Sequence, residues 1–287
     1  MTLLLSLLPL LAQIGPYTPP SVGPGPKLPP AAERPAPRRP APMVTALPPP
    51  ASTKGAACRD ALASDAVAAQ EYARDGLGSV KGAELAELQA CLGLASSRRD
   101  EWDVAGTAFL AARDASGTDQ LSRARYGTMA GNAALAGKQA ERAITALNQA
   151  RDDAKGLDDN VLSGEIAVDR ARAFVALQRL YDARIALDDA LAINPASSDA
   201  WLYSATLARR MAKLPLAQQH IEKAAEINPV EPAIGLEAGV IAVLSGRDDT
   251  ARKSWNSVIA AAPDSAEAAQ AKGYLAQLDG GTATTAK

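Results

Sequence analysis

Residues 196–229 read ASSDAWLYSATLARRMAKLPLAQQHIEKAAEINP, and the same skeleton stands once before this stretch and once after it. Ala171, Ala205 and Gly239 are spaced by 34 residues. So are Ala183, Ala217 and Ala251, then Leu187, Ile221 and Trp255, then Ala190, Ala224 and Val258. Pro195, Pro229 and Pro263 close the three units. A period of this length predicts antiparallel helix pairs stacked into an all-α solenoid, each pair burying its apolar face against the next. Such an architecture shifts the functional expectation from catalysis toward binding.

Inside each unit a small residue is followed twelve positions on by alanine, four on by a large apolar residue, three on by a small one and five on by proline. Trp201-Leu202 opens the central unit, Ala217 and Ile221 sit in its second helix, and Ala224-Ala225-Glu226-Ile227-Asn228-Pro229 ends it. Across residues 165–263 this closely resembles the tetratricopeptide repeat (TPR), of the exported bacterial type. Two looser copies precede it. Gly93, Ala105, Phe109 and Ala112 keep the internal spacing, as do Gly131, Ala143, Leu147 and Ala150. Neither has the closing proline, and these copies start 38 and 40 residues before the next. The extra residues read as longer connections, centred on 115–120 and 152–164.

Helix pairs are therefore expected at 83–113, 122–154, 164–193, 198–227 and 232–261, with a capping helix at 265–278. The small residues would let two helices approach against the alanines of the second helix. The large apolar residue would fill the gap to the neighbouring pair. Proline ends each second helix because it lacks an N–H and disfavours a helical residue before it. Asp264-Ser265-Ala266-Glu267 reads as a helix start. Gly280 and Gly281 are expected to end that helix, leaving 280–287 as a flexible tail.

Upstream the composition changes twice. Leu3 to Ala12 is a short apolar run broken by Ser6 and Pro9, below the roughly 20 residues of a membrane-spanning helix. It fits the apolar core of a signal peptide over 1–15, although no Lys or Arg precedes it. An uncleaved anchor and a run without targeting role are the alternatives. Residues 16–54 form a disordered linker that carries fourteen of the chain's 20 prolines, an expected polyproline-II spacer. Between Pro16 and Pro50 its charges are Lys27, Arg34, Arg38 and Arg39 against Glu33. Arg34-Pro35-Ala36-Pro37-Arg38-Arg39-Pro40 is either a docking motif or a soluble spacer, and the spacer is preferred. Residues 55–82 are expected to form an N-terminal helical cap and 83–279 the solenoid.

Hydrophobic residues make up 47% of the chain but aromatics only 4%, so the core must be built from Ala, Leu, Ile and Val. The net charge of −2 gives no electrostatic reason to expect nucleic acid. One His and two Cys leave few metal or nucleophile arrangements. His220 has no ligand-forming neighbour at suitable spacing. Asp152-Asp153 and Asp158-Asp159-Asn160 lack the alternation, central glycine and late glutamate of a calcium loop. Gly76-Leu77-Gly78 lacks the rest of a phosphate loop, and Gly-x-Ser-x-Gly does not occur. No enzyme activity, metal or cofactor is expected.

Cys58 and Cys91 are either two buried small hydrophobes or, in an exported protein, a disulfide, and the disulfide is preferred. A straight hairpin turning near Ser79 would set Cys58 beside Glu101, ~15 Å from Cys91. A break at Ser64-Asp65, both good N-cap residues, folds a short first helix back and restores the contact.

The TPR resemblance implies a protein or peptide partner held in the groove lined by the first helix of each repeat. The groove residues would be Asn132, Asp169, Arg172, Tyr203, Thr206, Arg209, Arg210 and Glu237. One TPR subclass grips a C-terminal carboxylate with asparagine and lysine. The matching positions here include Ala90, Leu94, Met129 and Asp169, which lack that pattern. The expected role is a non-enzymatic, exported, periplasmic adaptor. The alternatives are a self-associating structural subunit of a cell-envelope complex and a cytoplasmic regulator.

Overall fold

The computed structural model describes residues 52–285. The segment read as a signal and nearly all of the proline-rich linker lie outside the described residues. Those described form thirteen α-helices and one 3₁₀ turn, Leu77–Ser79, with no strand among them. Five helix pairs make the body: α3 (Gly82–Arg98) with α4 (Trp102–Ala115), α5 (Gln120–Ala136) with α6 (Ala140–Asp153), α7 (Asn160–Ala176) with α8 (Leu180–Ile193), α9 (Ser198–Arg210) with α10 (Leu214–Ile227), and α11 (Pro232–Leu244) with α12 (Asp248–Ala261). A shorter pair, α1 (Thr53–Ser64) and α2 (Ala66–Gly76), precedes them, and α13 (Ala266–Thr285) covers the last.

Each pair closes on a notch. A Cβ added at Gly93 would lie 2.5 Å from the Phe109 ring, and one at Gly131 or Gly239 would collide with Leu147 or Trp255. Ala171 and Ala205 share apolar clusters with Leu187 and Ile221 in the same way. The small residue thus receives the large apolar residue of its own pair, rather than leaving it to fill the gap to the next. The fit is close enough that Trp255 is fully buried, its Nε1 donating to the Leu236 carbonyl at 3.1 Å.

The turn between the two helices of a pair is the same in all five. Asp100, Lys138, Gln178, Ala212 and Gly246 all have left-handed backbone, with φ between 58° and 71°. The next residue donates back to the carbonyl five before it: Glu101 to Ser96, Gln139 to Ala134, Arg179 to Phe174, Lys213 to Ala208 and Arg247 to Ala242, all at 2.8–2.9 Å. This is the Schellman ending, in which a left-handed residue turns the chain while the last carbonyls stay bonded. Four of the five positions carry a side chain in a conformation that costs a non-glycine residue roughly 1–2 kcal/mol. Tertiary packing therefore holds the turn.

The 38- and 40-residue spacings have a different cause from the one expected. All five second helices have 14 residues, but α5 and α7 have 17, whereas α9 and α11 have 13. The extra four residues are one more turn at the start of α5 and α7, not longer loops; only the α6–α7 connection, 154–159, gains two. Asp119 and Asp159 enable the earlier starts by accepting from the Ser122 and Leu162 N–H groups at 3.1 and 2.9 Å. Asp153 accepts from Arg113 and Arg123 at 2.7 and 3.0 Å, tying α4, α5 and α6 together. Asp153 and Asp159, on either side of this connection, thus serve packing and capping.

At the N-terminus, Asp65 alone separates α1 from α2 and caps α2 through the Val67 and Ala68 N–H groups at 2.8 and 3.2 Å. The fold-back brings Cys58 to Cys91, which are disulfide-bonded with their Cα atoms 6.3 Å apart. Buried Gln70 bridges to Ser96 and Glu101, and Arg98 donates to the Leu62 carbonyl. At the other end α13 does not stop before Gly280 but continues through Gly280-Gly281 to Thr285. Glycine in a helix costs only about 1 kcal/mol against alanine, too little to stop it by itself.

Candidate functional site: the inner face of the solenoid

The first helices of successive pairs pack side by side, α5 on α7, α7 on α9 and α9 on α11, with the second helices outside them. They define the inner face. All eight residues expected to line a groove fall on α5, α7, α9 and α11, and six of them are joined to one another. Asn132 Nδ2 donates to Asp169 Oδ2 at 2.7 Å, and Arg172 Nη1 donates to Asp169 Oδ1 at 2.6 Å and to Asn132 Oδ1 at 3.2 Å. The Arg172 guanidinium lies 5.9 Å from the centre of the Tyr203 ring. Arg209 grips Glu237 with two bonds, Nε to Oε1 at 2.5 Å and Nη2 to Oε2 at 3.2 Å.

These contacts link consecutive first helices at nearly one register. Asp169, Tyr203 and Glu237 stand two residues before Ala171, Ala205 and Gly239, each facing back toward the preceding first helix. Cys91 stands two before Gly93, and its partner is Cys58 of α1. A disulfide at α1–α3, an Asn–Asp hydrogen bond at α5–α7, a cation–π contact at α7–α9 and a bidentate ion pair at α9–α11 thus occupy four of the five junctions between first helices. They run through a face with little water. Asp169 and Glu237 are 5% and 9% exposed. Burial opposes the Arg172 charge, but Asp169 and Tyr203 outweigh it and hold its pKa above the ordinary value.

Two expected groove residues stand apart. Thr206 is half-buried. Arg210, also half-buried, has no hydrogen-bond or ion-pair partner among the described residues. Burial and the neighbouring Arg209 charge lower its pKa. The structure gives three of the expected groove residues of α9 different surroundings: Tyr203 packs on the α7–α8–α9 apolar cluster, Arg209 is neutralised, and Arg210 remains. Complementary types, Arg209 with Glu237 and Asn132 with Asp169, sit on neighbouring first helices, but only the packed helices say which of them meet.

The outer side holds a cavity of about 150 Å³ between α8, α9 and α10, lined by Leu187, Leu207, Met211, Ser204 and His220. Ser204 Oγ and His220 Nδ1 are buried there with no hydrogen-bond partner among the described residues. The Trp201 ring meets His220 edge-on at 5.3 Å, and burial lowers the histidine's pKa. Among the described residues no group of three or more His, Cys, Asp or Glu converges to hold a metal ion. None of the described helices is long and apolar enough to cross a membrane.

This arrangement is a tetratricopeptide-repeat α-solenoid, a fold whose members include several solved proteins of similar extent. PilF of Pseudomonas aeruginosa superposes with a TM-score of 0.57 at 16% identity, over 77% of this chain and 96% of that one. PilW, described as a widely conserved type IV pilus biogenesis factor, gives 0.60 at 16% identity over 76% and 96%. BtubC from P. vanneervenii gives 0.58 at 15% identity over 71% and 91%. No family model and no curated protein matches the sequence.

Proposed function

We propose that this chain is an exported, non-enzymatic adaptor that holds a protein or peptide on its inner face. The observation that carries the reading is the face itself: four first helices, α5, α7, α9 and α11, fixed side by side by contacts that run between them, with solvent-facing residues left over. Pre-organisation of that kind lowers the ordering cost of binding. The Cys58–Cys91 bond supports an oxidising compartment such as the periplasm, as does the N-terminal apolar run. Two of the fold neighbours carry pilus names, and at 16% identity they add only the architecture.

The test is site-specific photo-crosslinking in cells, with the probe placed at Thr206 on the inner face and, separately, at Tyr181 on the outer face. The adaptor reading expects a discrete crosslinked partner from Thr206 and none from Tyr181. Crosslinks from Tyr181 alone would favour the second reading, a structural or assembly subunit of an envelope complex. That reading draws on the exposed apolar side chains of the outer face, Tyr181 at 65%, Ile185 at 43% and Leu216 at 36%.

A further inference from the structure

The last turns of the first helices carry a strip two residues wide. Leu135-Ala136, Val175-Ala176, Arg209-Arg210 and Val243-Leu244 occupy the same two positions in α5, α7, α9 and α11, each four and five residues after the small notch residue. Leu135, Val175 and Val243 are half-buried, whereas Ala136, Ala176 and Leu244 are exposed. The strip is apolar except at α9. There Arg209 is already neutralised by Glu237, and Arg210 is a half-buried cation with no counter-charge among the described residues.

The molecule contains one occupied instance of the same arrangement. Arg98 holds in α3 the position that Arg210 holds in α9, five residues after the notch. Its guanidinium is engaged by the Leu62 carbonyl at the end of α1, which lies against α3. A guanidinium here thus reaches an acceptor on a segment packed beside its own helix. At α9 no segment of the described chain supplies that acceptor. A carboxylate there would form a charge-assisted bond and relieve both the burial of the Arg210 cation and its repulsion from Arg209.

We infer that the α7–α9–α11 end of the inner face takes a short apolar peptide segment bearing one carboxylate, with Arg210 as the carboxylate's partner and Val175, Val243 and Leu244 as its apolar bed. The inference rests on the adaptor reading and gives it a ligand chemistry.

The experiment uses the full chain and three fluorescein-labelled pentapeptides with blocked ends, Val-Leu-Asp-Leu-Val and its central Asn and Lys counterparts, read by anisotropy at low and high salt. The Asp peptide should bind at least about tenfold tighter than the Asn peptide, and the Lys peptide weakest. The advantage should shrink with salt, vanish in Arg210→Gln and survive in Lys213→Gln. Arg210 has no partner to lose, so the variant should melt like the parent. Equal binding of all three peptides overturns the carboxylate and leaves the groove standing. An Asp preference that persists in Arg210→Gln places the anion site elsewhere and overturns the assignment. Absence of binding by any peptide overturns it too, and the Thr206 crosslink then decides the adaptor reading by itself.

Discussion

The two halves of the solenoid turn from one pair to the next by different means. In the C-terminal half the second helices end at Asn194, Asn228 and Ala262, whose φ of −135°, −138° and −143° has left the helical range, and proline follows each. In the N-terminal half they end at Ser116 and Ala154, still helical at φ −73° and −77°, and the chain reverses at Gly117 and Gly156 with φ +59° and +83°. Proline forces the preceding residue out of the helix. Glycine permits a left-handed step that other residues resist. The five pairs nevertheless keep one architecture, because the notch and the turn inside each pair are common to both halves. The inter-pair connection is therefore free to vary, and the period of the sequence with it.

The largest expected effect falls in the N-terminal half, where Cys58–Cys91 fastens α1 to α3 over a separation of 33 residues. Replacing both cysteines by serine should cost about 3–4 kcal/mol in the chain-entropy picture. In a repeat protein that loss should be local: hydrogen exchange should quicken in α1 and α2 while α9 to α12 stay protected. Uniform loss across the chain would show that the halves are not separable.

Next in size is the notch. Gly239→Ala drives a methyl into the buried Trp255 ring and should cost about 1–3 kcal/mol by denaturant titration. Gly131→Ala, against Leu147, should behave alike if the notch is common to both halves. A neutral result at either position would break that claim.

Smaller and opposite in sign are two backbone changes. Gly117→Ala meets no atom within 4 Å, so its penalty of about 1 kcal/mol is purely the left-handed backbone. Ala212→Gly removes the same strain from the turn inside the fourth pair and should raise stability by about 0.5–1 kcal/mol. Thermal melts of the two variants should move in opposite directions.

The smallest effect concerns His220, the only histidine, whose pKa is lowered chiefly by burial. A base that resists protonation in the fold contributes stability above its unfolded pKa and loses it as pH falls. Stability should therefore decline as pH drops below about 6.5, before the carboxylates titrate. His220→Gln should flatten the profile between pH 7 and 5.5, and an unchanged slope would remove His220 from the account.

The C-terminal half was legible because proline and a 13-residue first helix make its period strict. The pairs at 198–227 and 232–261 begin and end in the structure where the spacing put them. The N-terminal half was less so, since an extra helical turn and a longer loop lengthen a spacing equally. Asp119 and Asp159 were the cues, read as loop residues although each stands at a helix start. The left-handed turns escaped notice because only Gly246 of the five bears the residue that advertises them. At the inner face the groove register was readable, but which polar groups cancel one another was not. The partners stand 28, 37 and 40 residues apart, and only the packed helices bring those positions together.

The contacts between first helices also make the solenoid a spring with unequal stiffness along its length. Opening the curve requires adjacent inner helices to separate, so each junction acts as a tie. The covalent one at α1–α3 cannot yield, whereas the Asn132–Asp169, Asn132–Arg172 and Arg209–Glu237 contacts yield with their hydrogen bonds, and burial of Arg209 and Glu237 shields that pair from salt. A chain pulled by its ends would therefore extend first beyond α3, where only noncovalent contacts hold the first helices together. A partner seated across α7, α9 and α11 would stiffen part of the segment that can bend, so that binding and shape become two readings of one elastic constant.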